Sequence, residues 1–155
     1  MANIDRPDHL PRFLRGLAHV SGQMCNFTKL GGQVGLDHKT AAKYTSAFGQ
    51  MYLVKRVQVW SGNRLSGLVK TPKLQFINSG LLASLTDLTR AAIDQNRSRC
   101  FGHVIESFVY GQLLKLATSA KGDHQLLYYR DHDHGQYEVN LIAENAAGQL
   151  IGIEI

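Results

Sequence analysis

The stretch Asn26-Phe27-Thr28-Lys29-Leu30-Gly31-Gly32-Gln33-Val34-Gly35-Leu36-Asp37-His38-Lys39-Thr40-Ala41-Ala42-Lys43-Tyr44 decides how the first half of this 155-residue chain folds. Asn26 offers a side-chain oxygen where a short helix over residues 27–33 would begin, and Asp37 does the same for a longer helix running to about Gln50. Gly35 supplies the tight turn between them. Ala41, Tyr44, Phe48 and Met51 recur at helical spacing and mark the inner face of the longer helix. Short helix, glycine turn and capped longer helix together predict a helix-turn-helix.

Outward from this core, Leu10, Phe13, Leu14, Leu17 and Ala18 repeat with the period of one more amphipathic helix. Pro11 falls in its first turn, where a missing N–H costs nothing, and Gly22 ends the segment. On the other side, residues 52–60, a Ser61-Gly62-Asn63 turn and residues 65–69 read as a two-stranded ribbon. Three helices and a ribbon make a winged-helix pattern. Placed in a DNA major groove, the third helix would bring His38, Lys39 and Lys43 to phosphates or base edges, with Arg64 reaching the backbone or minor groove from the wing tip. The competing reading makes the same surface a solvated face, or a docking face for another protein domain. The helix carries no Arg or Asn cluster suited to base reading. Gly35-Leu36-Asp37-His38-Lys39-Thr40 is not a phosphate loop, because the glycines that motif requires are replaced by His38 and Gln33.

Charge separates the two halves. Through Thr86 there are 11 Lys/Arg against 3 Asp/Glu, a net +8; from Asp87 onward there are 6 against 9, a net −3. A basic half joined to an acidic half implies two modules with different surfaces, read here as residues 1–80 and 81–155. The basic half suits phosphate or an acidic protein face. Cys25 and Cys100 are far apart in the chain and form no C-x-x-C pair, as expected of reduced thiols in a cytoplasmic protein. No apolar run approaches the length of a membrane helix, and the N-terminus lacks a signal core.

In the second half, residues 70–81 read as a strand and turn, and residues 81–88 as a short helix. The polar stretch 94–99 is a connection. A long helix over about residues 101–117 follows, with Val104, Ile105, Phe108, Val109, Leu113 and Leu116 expected inward. Strands are expected at residues 125–130, 137–143 and 150 to the end. Asp131-His132-Asp133-His134-Gly135 forms a hairpin turn rather than a zinc site, since no second ligand pair stands at a suitable spacing. The fold class is therefore α+β, with the second module a long helix against a β-meander.

Glu106 on the long helix, Glu138 and Asn140 on one strand, and Glu154 on the next are the groups that carry possible chemistry. Carboxylates converging from a helix and two strands make an oxygen-rich site for Mg²⁺, which would activate water against a phosphodiester, aided by a lysine. Asn140 supplies only a neutral carbonyl, and the sequence stops at Ile155, before a lysine at the second position after Glu154. Glu106, Asn140 and Glu154 thus form a degenerate candidate catalytic site, with Glu106 and Glu154 as candidate metal ligands. On residues alone, Glu106 as a polar residue on a helix edge and Glu154 as a sheet-edge charge is the favoured reading.

The order of motifs resembles a known family. Leu10-Pro11-Arg12-Phe13-Leu14, Thr28-Lys29-Leu30, Gly35 to Tyr44, Lys70-Thr71-Pro72-Lys73-Leu74 and Asn78-Ser79-Gly80-Leu81 resemble the C-terminal region of prokaryotic AAA-type ATPases. So do Phe101-Gly102-His103-Val104-Ile105-Glu106-Ser107-Phe108-Val109, Tyr128-Tyr129-Arg130-Asp131, Gly135 to Asn140 and Ile151-Gly152-Ile153-Glu154-Ile155. The resemblance implies a winged helix followed by an incomplete PD-(D/E)xK restriction-endonuclease-like domain, with the ATPase domain upstream of Met1. The family usually has Asp at the positions of Asn78 and Asn140. The expectation is a nucleic-acid-binding or protein-interaction module, inactive as given and without cofactor. Its partner would be DNA, another protein or its own ATPase domain. The alternatives are a Mg²⁺-dependent nuclease in the intact protein and an oligomerisation or regulatory scaffold.

Overall fold

The computed structural model describes residues 7–62, 71–94, 100–131 and 137–155, and its fold is α+β. A 3₁₀ turn at Pro7–His9 leads into α1 (Leu10–Ala18); β1 (Gln23–Met24), α2 (Phe27–Gln33), α3 (His38–Gln50) and β2 (Val54–Val57) follow. Next come β3 (Lys73–Phe76), α4 (Ser79–Leu85), α5 (Arg90–Asp94) and α6 (Phe101–Ser119). The antiparallel strands β4 (His124–Arg130), β5 (Glu138–Asn145) and β6 (Leu150–Ile153) complete the described chain. Among the described residues, no helix is long and apolar enough to cross a membrane.

The two expected caps form as read. Asn26 Oδ1 accepts from the Lys29 N–H at 3.0 Å, and Asp37 Oδ1 accepts from Lys39 and Thr40 N–H groups at 2.9 and 3.1 Å. Each oxygen satisfies helix-start donors that have no partner within the helix. Gly35, at φ +74°, makes the turn between α2 and α3. Asn78 caps α4 in the same way, through the Leu81 N–H at 2.9 Å.

The ribbon differs from expectation. β2 pairs not with residues 65–69, which lie outside the described residues, but antiparallel with β3, matching Val54 to Phe76 and Val57 to Lys73. β1 pairs on the other side of β3, giving the order β1-β3-β2. A second sheet has the order β4-β5-β6.

Two apolar clusters lie against this framework. Phe13, Leu17, Tyr44, Phe48, Leu74, Phe76 and Leu82 belong to the first, which also gathers Leu81, Leu85 and Val104. Val57, Val59, Tyr110, Tyr128 and Leu141 form the second. All four residues of β3 are buried. Leu74 and Phe76 face the first cluster, and Lys73 meets groups of the second half. A strand with both faces covered loses the polar–apolar alternation of a half-exposed one.

The face that α6 buries is also rotated from the expected one. Glu106, Ser107, Tyr110 and Gly111 are buried, whereas Ile105, Phe108 and Leu116 are exposed. Apolar residues surround this helix, so periodicity could not choose a side. Specific contacts do: Ser107 Oγ donates to Phe76 O at 2.9 Å, and Gly111 lets the helix approach so closely that a Cβ there would lie 2.8 Å from Ile77 O.

Candidate functional site

The halves meet along a polar seam centred on Lys73, 4% exposed on β3. Its Nζ lies 3.9 Å from Glu106 Oε1 on α6, pairs closely with Glu138 Oε1 on β5, and sits 5.1 Å from the centroid of the Tyr128 ring. Arg130 Nε approaches the other oxygen of Glu138 at 3.8 Å. Two cations thus balance two carboxylates, and a buried charge is tolerated only when paired in this way. Gln75 Nε2, also buried on β3, finds no acceptor among the described residues.

Backbone geometry shapes this cluster. Gly22, at φ +76°, donates its N–H to Leu74 O at 2.7 Å and leaves room for the Glu106 carboxylate. A Cβ on Gly22 would collide with that carboxylate, lying 3.1 Å from its Cδ. Burial raises the Glu106 pKa; nearby Lys73 lowers it, and Glu138 raises it further. The pairing register of β4 and β5 shifts between Leu127 and Tyr129: Leu127 opposes Ile142, and Tyr129 opposes Val139. Two steps along β4 match three along β5, which is a β-bulge. Within this bulged stretch Leu141 joins the core beside Tyr128.

The three residues of the expected catalytic set have different partners. Glu106 is held by Lys73. Asn140 Oδ1 accepts the Ile155 N–H at 3.0 Å, tying β5 to the chain just after β6. Glu154 is exposed and forms no ion pair among the described residues. No three His, Cys, Asp or Glu side chains among the described residues gather as a metal site. That geometry does not offer Mg²⁺ the carboxylate set considered from the sequence. Sequence reasoning assigned Lys73 no role. Its one signal was a lysine within an otherwise strand-like Lys73-Leu74-Gln75-Phe76 run, which reads as surface until α6 and β5 cover it.

The side chains expected to meet DNA belong to α3 and to the ribbon after it. His38 and Lys39 are exposed at the start of α3, and Lys43 is half-buried one turn on. Arg64 and the His132-Asp133-His134 turn lie outside the described residues. The sequence did not single out Arg56, exposed on β2, whose guanidinium lies 5.3 Å from the Phe27 ring centroid. The His38 ring meets Phe27 edge-on, with centroids 6.3 Å apart. Arg56, His38 and Phe27 share a cleft of about 570 Å³ with Met24, Asn26 and Pro72 among its other walls.

Residues 1–92 match the family described as "Domain of unknown function (DUF8612)". The chain belongs to this DUF8612 family. Residues 101–155 match a second description, "Domain of unknown function (DUF4143)". The DUF8612 portion therefore contains the cleft and Lys73, while Glu106 and Glu138 come from the DUF4143 portion. Uncharacterized proteins of Mycobacterium bovis and Mycobacterium tuberculosis are each 28% identical over 140 residues, covering 90% of this chain and 30% of theirs. The chain thus spans about a third of the length of these curated relatives. No solved structure matches.

Proposed function

We propose that this DUF8612 chain is a nucleic-acid-binding module, with residues 1–80 acting as a winged helix and its α3–β2 face contacting phosphates. The observation that carries this reading is the convergence of His38 from α3 and Arg56 from β2 on one aromatic ring, Phe27. Lys39 and Lys55 add exposed charge on the same two elements. Asp37, the acid beside them, has its carboxyl oxygens engaged by Thr40 and Lys39, which hold its pKa below the usual range. Cations held on helix and strand, with the neighbouring carboxylate engaged by its own helix cap, suit a phosphate backbone.

In this reading residues 81–155 are a restriction-endonuclease-like unit that serves as a scaffold. The carboxylate of Glu106 neutralises Lys73 and does no phosphodiester chemistry. DUF4143 segments are commonly found with AAA ATPases. Together with the greater length of the mycobacterial relatives, this supports placing the chain beside an ATPase domain in the intact protein.

The test is DNA binding by fluorescence anisotropy at several salt concentrations. Affinity is expected to fall steeply as salt rises, because binding releases counterions from the phosphates. Charge reversal at Lys39 and Lys43 is expected to weaken binding about tenfold or more. Binding that ignores both salt and these reversals overturns the proposal in favour of protein docking on this face. Magnesium-dependent DNA cleavage abolished by Glu106→Ala would overturn the scaffold assignment.

A further inference from the structure

The cleft beside α3 has a composition that duplex backbone contact does not require. Its walls combine the cation of Arg56 and the ring of His38 with the apolar groups of Met24, Phe27 and Pro72, and with Asn26 and Thr28. Arg56 forms no ion pair among the described residues, and its guanidinium rests against the Phe27 ring. Asn26 uses its carbonyl oxygen to cap α2, which leaves the amide N–H₂ for another partner. Met24 remains 37% exposed on the two-residue strand β1. The volume of about 570 Å³ falls within the range of small-molecule pockets, roughly 300–1,000 Å³.

Duplex DNA presents its phosphates on a convex rod and keeps its bases stacked inside. Apolar walls in a concave site gain nothing from such a surface. They do gain from a planar base that has left the stack, since every base has an apolar face. Arg and His beside that wall meet the charge of the attached phosphate.

We propose that this cleft takes one unstacked nucleotide of a single-stranded segment, its phosphate against Arg56 and His38 and its base against Met24 and Pro72. The inference rests on the nucleic-acid reading above and specifies which form of nucleic acid the site prefers.

The experiment uses the full chain and three labelled probes of equal length: a single-stranded oligonucleotide, the same strand in duplex, and an abasic strand carrying the same phosphates. The single strand is expected to bind about tenfold more tightly than the abasic strand, in keeping with the apolar area that a seated base removes from water. It is also expected to bind more tightly than the duplex. Met24→Ala should weaken the single strand about fivefold, through lost apolar contact, and leave the abasic strand unchanged. Arg56→Gln should weaken both about tenfold. Both side chains are exposed, so neither change removes core packing, and an unchanged unfolding midpoint verifies this. If the duplex and the abasic strand bind as well as the single strand and Met24→Ala has no effect, the nucleotide site is overturned while the nucleic-acid reading stands. If none of the three probes binds, both are overturned.

Discussion

Lys73 and Glu106 are buried partners 3.9 Å apart that join the DUF8612 portion of the chain to the DUF4143 portion. The contact is one of several across this seam. Tyr128 donates its N–H to Gln58 O at 3.0 Å and accepts from Trp60 N–H at 2.6 Å, so residues 58–60 run beside β4. Val59 and Tyr128 form a parallel bridge there. The ionic cluster thus sits within a continuous junction, where loss of Lys73 leaves the Glu106 carboxylate buried without its cation.

Removing Lys73 therefore carries a larger cost than removing a surface lysine. Lys73→Ala leaves the Glu106 and Glu138 carboxylates in the seam without their shared cation. Loss of about 3 kcal/mol in urea unfolding is expected, the magnitude for breaking a buried pair from one side. Lys55→Ala, at an exposed position of β2, should change stability by less than about 0.5 kcal/mol.

Glu106 gives the seam a pH dependence of defined sign. Burial raises its folded-state pKa, so the folded protein binds the proton more tightly than the unfolded chain does. Its favourable contribution is complete below the ordinary carboxylate value and is lost as pH rises through the raised folded value. Glu106→Gln should remove this decline. Unfolding free energies of the two proteins, measured from about pH 4 to about pH 7, should diverge with the native protein losing ground. Parallel curves would show that Glu106 does not titrate differently in the folded state.

Gly22 should tolerate no side chain while Glu106 is present. Gly22→Ala adds a Cβ at φ +76° and drives it into the carboxylate, with an expected cost of about 2 kcal/mol. In a Glu106→Ala background the collision disappears and the backbone cost of about 1 kcal/mol remains. A double-mutant cycle by denaturant unfolding reads the difference as coupling between the two positions.

Tyr128 contributes through two separable contacts. Its hydroxyl donates to Thr71 O at 2.7 Å, while its ring lies against Lys73 Nζ. Tyr128→Phe removes only the hydrogen bond and should cost about 1 kcal/mol. Tyr128→Ala removes the buried ring as well and should cost about 4 kcal/mol, approaching the loss of a core aromatic. Thermal or urea unfolding of the pair distinguishes the contacts.

Local chemistry alone determined the starts of α2 and α3, because Asn26 and Asp37 satisfy donors only three residues away. The glycine turn and the inward Ala41, Tyr44 and Phe48 were legible for the same reason: their signals lie within a few turns of chain. The three strands of the second sheet also emerged from short-range alternation. Met51 marks where that reasoning stopped short, since it closes α3 as its C-cap and is 57% exposed.

Only the tertiary structure decided which side of α6 is buried, which partner β2 takes, and that Lys73 is an interior residue. An apolar residue on every side of α6 gives no periodic preference, and contacts to Phe76 and Ile77 choose the face. The Lys73 site is assembled from residues 33 and 65 positions further along the chain, with Gly22 far upstream opening space for one of them. Whether a lysine is a solvated charge or a buried hub depends on what covers it. That covering is a long-range event, and it joins the basic half of this DUF8612 chain to its acidic half.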